Sequence, residues 1–160
     1  MVNWLFREKM FMFKDILKGK VVIIGIGNPL RGDDGFGPVL IERLKGNIQA
    51  VCIDAGEAPE NYIGKIIKER PDSVLIVDVV HLGLEVGKYA ILRKGDLVKS
   101  GFTTHDMSLH MFIEHLEKGT QADIYILAVQ PGRLIFGEEI SDRLKKTLKE
   151  ITDALCTNCI

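Results

Sequence analysis

Short apolar runs alternate along this chain with segments whose apolar residues recur at helical spacing, and this alternation constrains the fold more than any other feature. Four runs rich in β-branched residues are typical of strands buried on both faces: Val21–Gly27, Ala50–Asp54, Ser73–Val80 and Asp123–Pro131. A shorter strand is predicted at Tyr89–Asp96. Strands that alternate with helices in this way indicate an α/β fold around a mainly parallel sheet.

The helical segments between the strands carry recognisable start signals. One begins near Phe36, a second begins at Pro59, a third is capped by Asp106 and the last is capped by Ser141. The connection between the third and fourth strands is too short for a helix, so one strand is expected to run antiparallel. The sequence therefore predicts a three-layer sandwich, in which a five-stranded sheet carries helices on both faces.

Length and composition favour one domain with an N-terminal addition. The 160 residues are 46% hydrophobic and 27% charged, which is average for a globular protein. Residues 1–20 are predicted to form an amphipathic helix appended to a single α/β domain at 21–160. Phe13 and Leu17 are among the apolar residues with which this helix is expected to dock on the domain.

The charge balance and the cysteine count exclude several classes of function. The 21 basic and 22 acidic side chains give a net charge of −1, which argues against binding to nucleic acid or to an anionic membrane. No apolar stretch approaches the ~20 residues needed to span a bilayer. Three cysteines are an odd number and too few for a disulfide scaffold, so the cytoplasm is the expected location.

Polar side chains follow the predicted strands at the edge where α/β proteins bind ligands. Asp33 and Asp34 follow the first strand, Asp78 lies inside the third, and His105 precedes the fourth helix. Each has an ordinary interpretation: Asp78 can accept backbone N–H groups, the paired aspartates suit a helix N-terminus, and His105 suits a loop. Two carboxylates and an imidazole at one edge together form a ligand set suited to nickel, zinc or a similar divalent ion.

Other motifs are weaker. The dinucleotide-binding pattern that starts at Gly25 and Gly27 lacks its third glycine, since that position is Leu30, and the two glycines are expected to serve a tight turn. Cys156 and Cys159 form a single CxxC, which lacks the second pair of a zinc site. His110 and His115 are not on one helix face, and both are predicted to be surface histidines.

Four motifs, in order and spacing, resemble the maturation endopeptidases of [NiFe] hydrogenases, and most closely the branch that serves the hydrogenase 3 (formate hydrogenlyase) large subunit. They are GIGNPLRGDDGFGP, DAGEAPEN, VLIVDVV and TTHDMSL. The resemblance extends from Val21 to about Leu155. It implies that Asp34, Asp78 and His105 are both the metal-contacting and the catalytic residues, and that Asp33 shapes the mouth of the site.

The resemblance also implies an activity and a partner. Such an enzyme, classed with the aspartyl proteases, removes a C-terminal peptide from the large-subunit precursor after nickel insertion. Nickel then belongs to the substrate, so no cofactor is permanently bound, although cadmium or zinc can substitute in the site. Either Asp34 or Asp78 would act as general base for water.

Two other functions are compatible with the residues alone. One is a stand-alone peptidase or amidohydrolase that holds its own divalent ion. The other is a nickel- or nucleotide-binding accessory protein that catalyses nothing. A tightly bound stoichiometric metal would favour either alternative, whereas an empty site would favour the maturation protease.

Overall fold

The computed structural model describes residues 9–99, 103–104 and 108–157. The strands within these residues are β1 (Val21–Ile26), β2 (Val51–Gly56), β3 (Ser73–His81), β4 (Tyr89–Leu92), β5 (Thr103–Thr104) and β6 (Asp123–Val129). The helices are α1 (Lys9–Ile16), α2 (Phe36–Leu44), α3 (Ile63–Glu69), α4 (Lys94–Lys99), α5 (Ser108–Gly119) and α6 (Asp142–Thr157). Short 3-10 helices at Gly32–Gly35 and Pro59–Tyr62 lead into α2 and α3.

The main sheet has the strand order β2-β1-β3-β6-β4. The first four of these strands are parallel, and β4 runs antiparallel to β6. The predicted fold class, a mainly parallel five-stranded sheet with one antiparallel strand, is therefore confirmed. The sheet has one addition, because the two-residue strand β5 pairs antiparallel with the end of β3.

Helices cover both faces of the sheet, as predicted. One apolar core lies under α1, α2 and α6 and includes Phe13, Phe36 and Leu148. The other lies under α3, α4 and α5 and includes Ile66 and Phe112. Successive residues of β1 and β3 alternate between the two cores, which explains why these strands read as continuous apolar runs.

The predicted fourth strand, Tyr89–Asp96, is wrong in its second half. The strand ends at Leu92, and α4 begins at Lys94. The cause is a local cap: the Asp96 carboxylate accepts the Arg93 backbone N–H at 2.7 Å, which satisfies a donor at the start of the helix. Ser141 acts as predicted at the start of α6, where its hydroxyl accepts the Leu144 N–H at 3.5 Å.

The N-terminal segment is described from Lys9 onward, and its first eight residues lie outside the described part of the chain. Phe13 is 1% exposed and Leu17 is 6% exposed, so both side chains belong to the core beneath α2 and α6. No helix among the described residues is long and apolar enough to cross a membrane.

Candidate active site

The strand order contains a switch point between β1 and β3. After β1 the chain crosses to β2 on one side, and it then returns to β3 on the other side of β1. In open α/β sheets a crevice forms at the carboxyl ends of the strands where the order reverses in this way, and ligands bind there. Asp34 follows β1 and Asp78 lies near the carboxyl end of β3, so the two carboxylates flank this crevice.

Asp34 is held in place by the segment that precedes it. It lies in the 3-10 helix Gly32–Gly35 and is 7% exposed. One carboxylate oxygen, Oδ2, accepts the Asn28 backbone N–H at 2.9 Å. Gly27 has φ +141°, and a Cβ atom there would collide with the Asp34 carbonyl oxygen. The chain therefore passes so close to Asp34 that only glycine fits at position 27.

In the structure Gly25 does not serve the predicted tight turn but allows close packing of α2 on the sheet. A Cβ on Gly25 would lie 2.5 Å from the Gly37 carbonyl oxygen in α2, and a Cβ on Gly37 would lie 2.5 Å from the Ile26 carbonyl oxygen and 2.9 Å from that of Val77. The two glycines let the first turn of α2 rest directly on β1 and β3. Close packing of α2 thus sets where the segment carrying Asp34 meets the sheet.

Asp78 is buried in the sheet itself. It is 2% exposed, lies opposite Ala128 in the β3–β6 register, and comes directly after Val77, the last β3 residue that pairs with β1. Its Oδ1 atom accepts the Val79 N–H at 2.8 Å. A carboxylate in this apolar setting is costly unless it is hydrogen-bonded, paired or bound to a metal, which keeps Asp78 a candidate for the predicted site.

Asp33 serves the architecture of the site rather than its crevice. The side chain is 1% exposed and accepts the Gly132 N–H and the Ser141 N–H, each at 2.7 Å, and the Ser141 hydroxyl at 3.1 Å. These bonds tie the segment after β1 to the loop between β6 and α6. The expectation that the residue shapes the mouth of the site agrees with this geometry.

His105 lies outside the described residues, between two segments that are described. Thr104 pairs with Val80, two residues beyond Asp78, and α5 begins at Ser108. Within residues 9–99, 103–104 and 108–157, no group of three or more His, Cys, Asp or Glu side chains is placed to hold a metal ion. The three-residue ligand set that includes His105 therefore stays a prediction.

Gln130 is a buried residue of this edge that the sequence analysis missed. It is 8% exposed and follows β6; its Oε1 atom accepts the Leu82 N–H at 2.6 Å and the Leu84 N–H at 3.4 Å. Its amide group donates to the Pro131 carbonyl at 3.1 Å. Gln130 therefore fixes the chain that leaves β3 after Asp78. The available signal was a lone amide at the end of an apolar strand, directly before a proline.

The acidic residues after β2 are less closely tied to the crevice. Asp54 and Glu57 are exposed. Glu57 accepts a hydrogen bond from the Asn28 side-chain amide at 3.3 Å, while Asp54 accepts the Gly56 N–H at 3.0 Å. Glu57 thus meets the segment that holds Asp34, and Asp54 caps its own strand end.

The other histidine and cysteine candidates that the structure describes lie on surfaces or strands away from the two aspartates of the crevice. The His110 Nε2 atom lies 3.1 Å from a Glu114 carboxylate oxygen on the surface of α5, and His115 is exposed, as predicted. Cys52 is half-buried, and burial raises the pKa of its thiol, which disfavours the nucleophilic thiolate. Cys156 is described, while Cys159, its partner in the CxxC motif, lies outside the described residues.

A family model described as "Hydrogenase maturation protease" matches residues 38–158, a range that contains Asp78 and His105 and begins after Asp34. The chain therefore belongs to the hydrogenase maturation proteases, an endopeptidase family and thus a class of hydrolases. The chain is 34% identical over 163 residues to a putative hydrogenase maturation protease of Methanocaldococcus jannaschii, with 90% of this chain and 96% of that protein covered.

Two further relatives support the same assignment. The hydrogenase 3 maturation protease of Escherichia coli is 34% identical over 139 residues, which cover 84% of this chain and 87% of that protein. The crystal structure of a [NiFe] hydrogenase maturation protease, HycI, from Thermococcus kodakarensis superposes with a TM-score of 0.85 at 32% identity. That match covers 92% of this chain and 98% of the other. The predicted family and enzyme class are confirmed.

Proposed function

We propose that this protein removes the C-terminal peptide from the large-subunit precursor of a [NiFe] hydrogenase, and that it does so only after nickel has been inserted. One observation carries the proposal: two buried carboxylates, Asp34 and Asp78, flank the switch-point crevice of a fold shared with hydrogenase maturation proteases. Resemblance to the hydrogenase 3 maturation protease favours a precursor of the hydrogenase 3 type. The expected place of the reaction is the cytoplasm.

The carboxylates recognise the nickel that the precursor carries. A backbone N–H holds one oxygen of each carboxylate: the Asn28 N–H binds Asp34 and the Val79 N–H binds Asp78. His105 adds the third ligand, and its neighbour Thr104 is already paired beside Asp78 at Val80. Carboxylate and imidazole groups suit nickel, while cysteine thiolates of the precursor would supply its remaining ligands.

Recognition through the metal makes cleavage conditional on nickel loading. When the precursor docks through its nickel, the adjacent peptide bond is brought to the crevice at high effective concentration. One of the two aspartates takes a proton from water as the oxygen attacks the scissile carbonyl carbon. The proton is then returned to the departing amine, so the C–N bond breaks with no change in oxidation state. The protease itself retains no metal, although cadmium or zinc is able to occupy the three-residue site.

The decisive experiment is cleavage of the purified precursor, with and without nickel, followed by intact mass. The proposal predicts loss of one discrete C-terminal peptide from the nickel-loaded precursor and none from the nickel-free form. His105→Ala and Asp78→Asn are expected to abolish that loss. Absence of cleavage with a precursor whose nickel content has been verified would overturn the assignment to that partner.

A surface variant provides the matched control. His115 is exposed on α5, ten residues after His105, and its ring contacts the backbone of its own helix. His115→Ala should cleave the nickel-loaded precursor at the wild-type rate. An equal loss of activity in His115→Ala and His105→Ala would show that imidazole loss acts through general destabilisation and would contradict the proposed role of His105.

A further inference from the structure

We infer that an exposed apolar ridge beside Asp34 is the docking surface for the folded body of the large-subunit precursor. The ridge consists of Leu30, Ile135 and Phe136. The inference rests on the proposed function, because it assumes that the precursor is the macromolecule that reaches the crevice. It goes further in assigning binding energy to residues that contact neither the nickel nor the scissile bond.

Among the described residues, the ridge contains most of the large hydrophobic side chains that are exposed to solvent. Leu30 is 60% exposed, Ile135 45% and Phe136 72%, and the fourth large hydrophobic side chain in this group is Met111 on α5, at 58%. Single exposed apolar residues are ordinary, but a cluster on one surface marks a binding site. Three of the four exposed large hydrophobic side chains therefore fall on two loops that contact each other.

Backbone hydrogen bonds join the two loops to each other. The Gly137 N–H donates to the Leu30 carbonyl at 2.8 Å, and the Gly32 N–H donates to the Glu138 carbonyl at 3.0 Å. The Asp33 N–H donates to the Arg133 carbonyl at 2.9 Å. These bonds fix the backbone of the ridge before any partner binds. Little conformational entropy of that backbone is therefore lost when a partner covers the ridge.

The ridge is continuous with the segment that carries the proposed ligand. Asn28 joins the two, because its N–H donates to the Asp34 carboxylate at 2.9 Å and its side-chain oxygen accepts the Leu30 N–H at 2.9 Å. A protein that brings a peptide bond to Asp34 consequently covers the loop that presents Leu30. This continuity identifies the occupant as the precursor rather than a partner unrelated to cleavage.

The surroundings of the ridge resemble the rim of a protein–protein interface. Arg133 and Glu138 form an ion pair at 3.2 Å beside the apolar residues, and the Arg133 side chain is 71% exposed. Interfaces typically place apolar anchors at the centre and solvated charges around them. The partner surface that fits is therefore an apolar patch with a polar border on the folded large subunit, and a long aromatic side chain such as Phe136 is a suitable anchor.

The test compares Leu30→Ser and Phe136→Ser with Met111→Ser, which removes an equally exposed apolar side chain from α5. Affinity for the nickel-loaded precursor is measured by interferometry, and cleavage is measured by intact mass. Both ridge variants should weaken binding and raise KM about tenfold or more, with kcat and thermal stability unchanged. Met111→Ser should match the wild type in every readout.

The outcomes separate the ridge from the proposed function. Wild-type affinity and KM in both ridge variants would overturn the docking surface, even if cleavage by the wild type confirms the function. Failure of the wild type to bind the precursor would also overturn it, while binding without cleavage would contradict the function alone. If sedimentation shows a wild-type dimer that Phe136→Ser dissociates, a second copy of the chain is the occupant and the inference is wrong.

Discussion

Charged side chains are placed in opposite ways at two edges of the molecule, the switch point and the region around β4 and α4. At the switch point, Asp33, Asp34 and Asp78 are at most 7% exposed, and backbone N–H groups orient all three carboxylates. Around β4 and α4 the charges are exposed and paired: Arg93 with Asp123 at 3.5 Å, and Lys94 with Glu117 at 2.9 Å.

Exposed ion pairs and buried carboxylates differ in their energetic cost. Exposed ion pairs contribute little to stability because water and salt screen them. The hydrogen bond to Glu117 raises the pKa of Lys94, which is already charged at neutral pH. A buried carboxylate is costly, so a protein retains it only where its charge is used. At the first edge Asp33 ties two loops together, and the proposed function uses Asp34 and Asp78, whereas the charges at the second edge are solvated surface pairs.

The largest expected effect is the loss of cleavage in Asp34→Asn. An amide is a poor ligand for nickel and no base for water, so the cleavage rate of the nickel-loaded precursor should fall by about a thousandfold or more. The unfolding free energy should change by no more than about 1 kcal/mol, because the amide oxygen can still accept the Asn28 N–H. Intact mass gives the cleavage rate, and urea unfolding gives the unfolding free energy. Normal cleavage by the variant would contradict a functional use of the buried carboxylate.

Asp33→Ala is expected to destabilise the protein more than any other substitution at this edge. It leaves the partly buried Gly132 and Ser141 N–H groups without their acceptor, which should cost about 2–3 kcal/mol of unfolding free energy. Asp33→Asn retains one oxygen and should lose roughly half as much. A urea midpoint equal to that of the wild type in Asp33→Ala would show that these bonds do not hold the two loops together.

Gly37→Ala tests the close packing that places the switch-point segment. Its Cβ would lie 2.5 Å from the Ile26 carbonyl oxygen, so α2 must move away from the sheet, at a cost of about 1–3 kcal/mol. Gly64→Ala in α3 is the matched control, since nothing lies within 4 Å of its Cβ position and alanine favours helix. Thermal unfolding should show a lower midpoint for the first variant and an unchanged or higher one for the second.

The smallest effect is expected at the opposite edge. Lys94→Ala removes one member of an exposed ion pair and should change neither the cleavage rate nor the urea midpoint measurably. The variant is a useful contrast to Asp33→Ala because it removes a full positive charge that pairs with Glu117. A loss of stability as large as that of Asp33→Ala would show that exposed pairing, rather than burial, governs the energetics of charge in this protein.

Much of the fold could be predicted from the sequence because the signals are local. The apolar runs that became β1 and β3 contact both cores, and Ser141 caps α6 as its position suggested. The prediction failed where a side chain overrides a pattern: Asp96 caps the start of α4, so the strand at Tyr89 ends at Leu92. Strand order was also out of reach, since periodicity carries no information about which strands are neighbours.

The site residues, too, could be predicted only where the signal is local in the sequence. Asp34 and Asp78 stood out because carboxylates next to apolar strands are unusual, and the strand order then brought them to one crevice. The hydrogen bonds of Gln130 and Asp33 reach residues 48 and 99–108 positions away along the chain, so their partners could not be predicted from local patterns. Gly25 and Gly37 likewise acquire their meaning only from the contact between α2 and the sheet.

The most direct test of the central claim is the ligand environment of nickel in the precursor. X-ray absorption spectra at the nickel edge would be recorded for the nickel-loaded precursor alone and for complexes frozen within seconds of adding the wild type, Asp34→Asn or Asp78→Asn. The account predicts that the wild type adds oxygen and nitrogen ligands to the nickel and that each variant adds fewer. A nickel spectrum that is unchanged by the bound wild-type protease would contradict it.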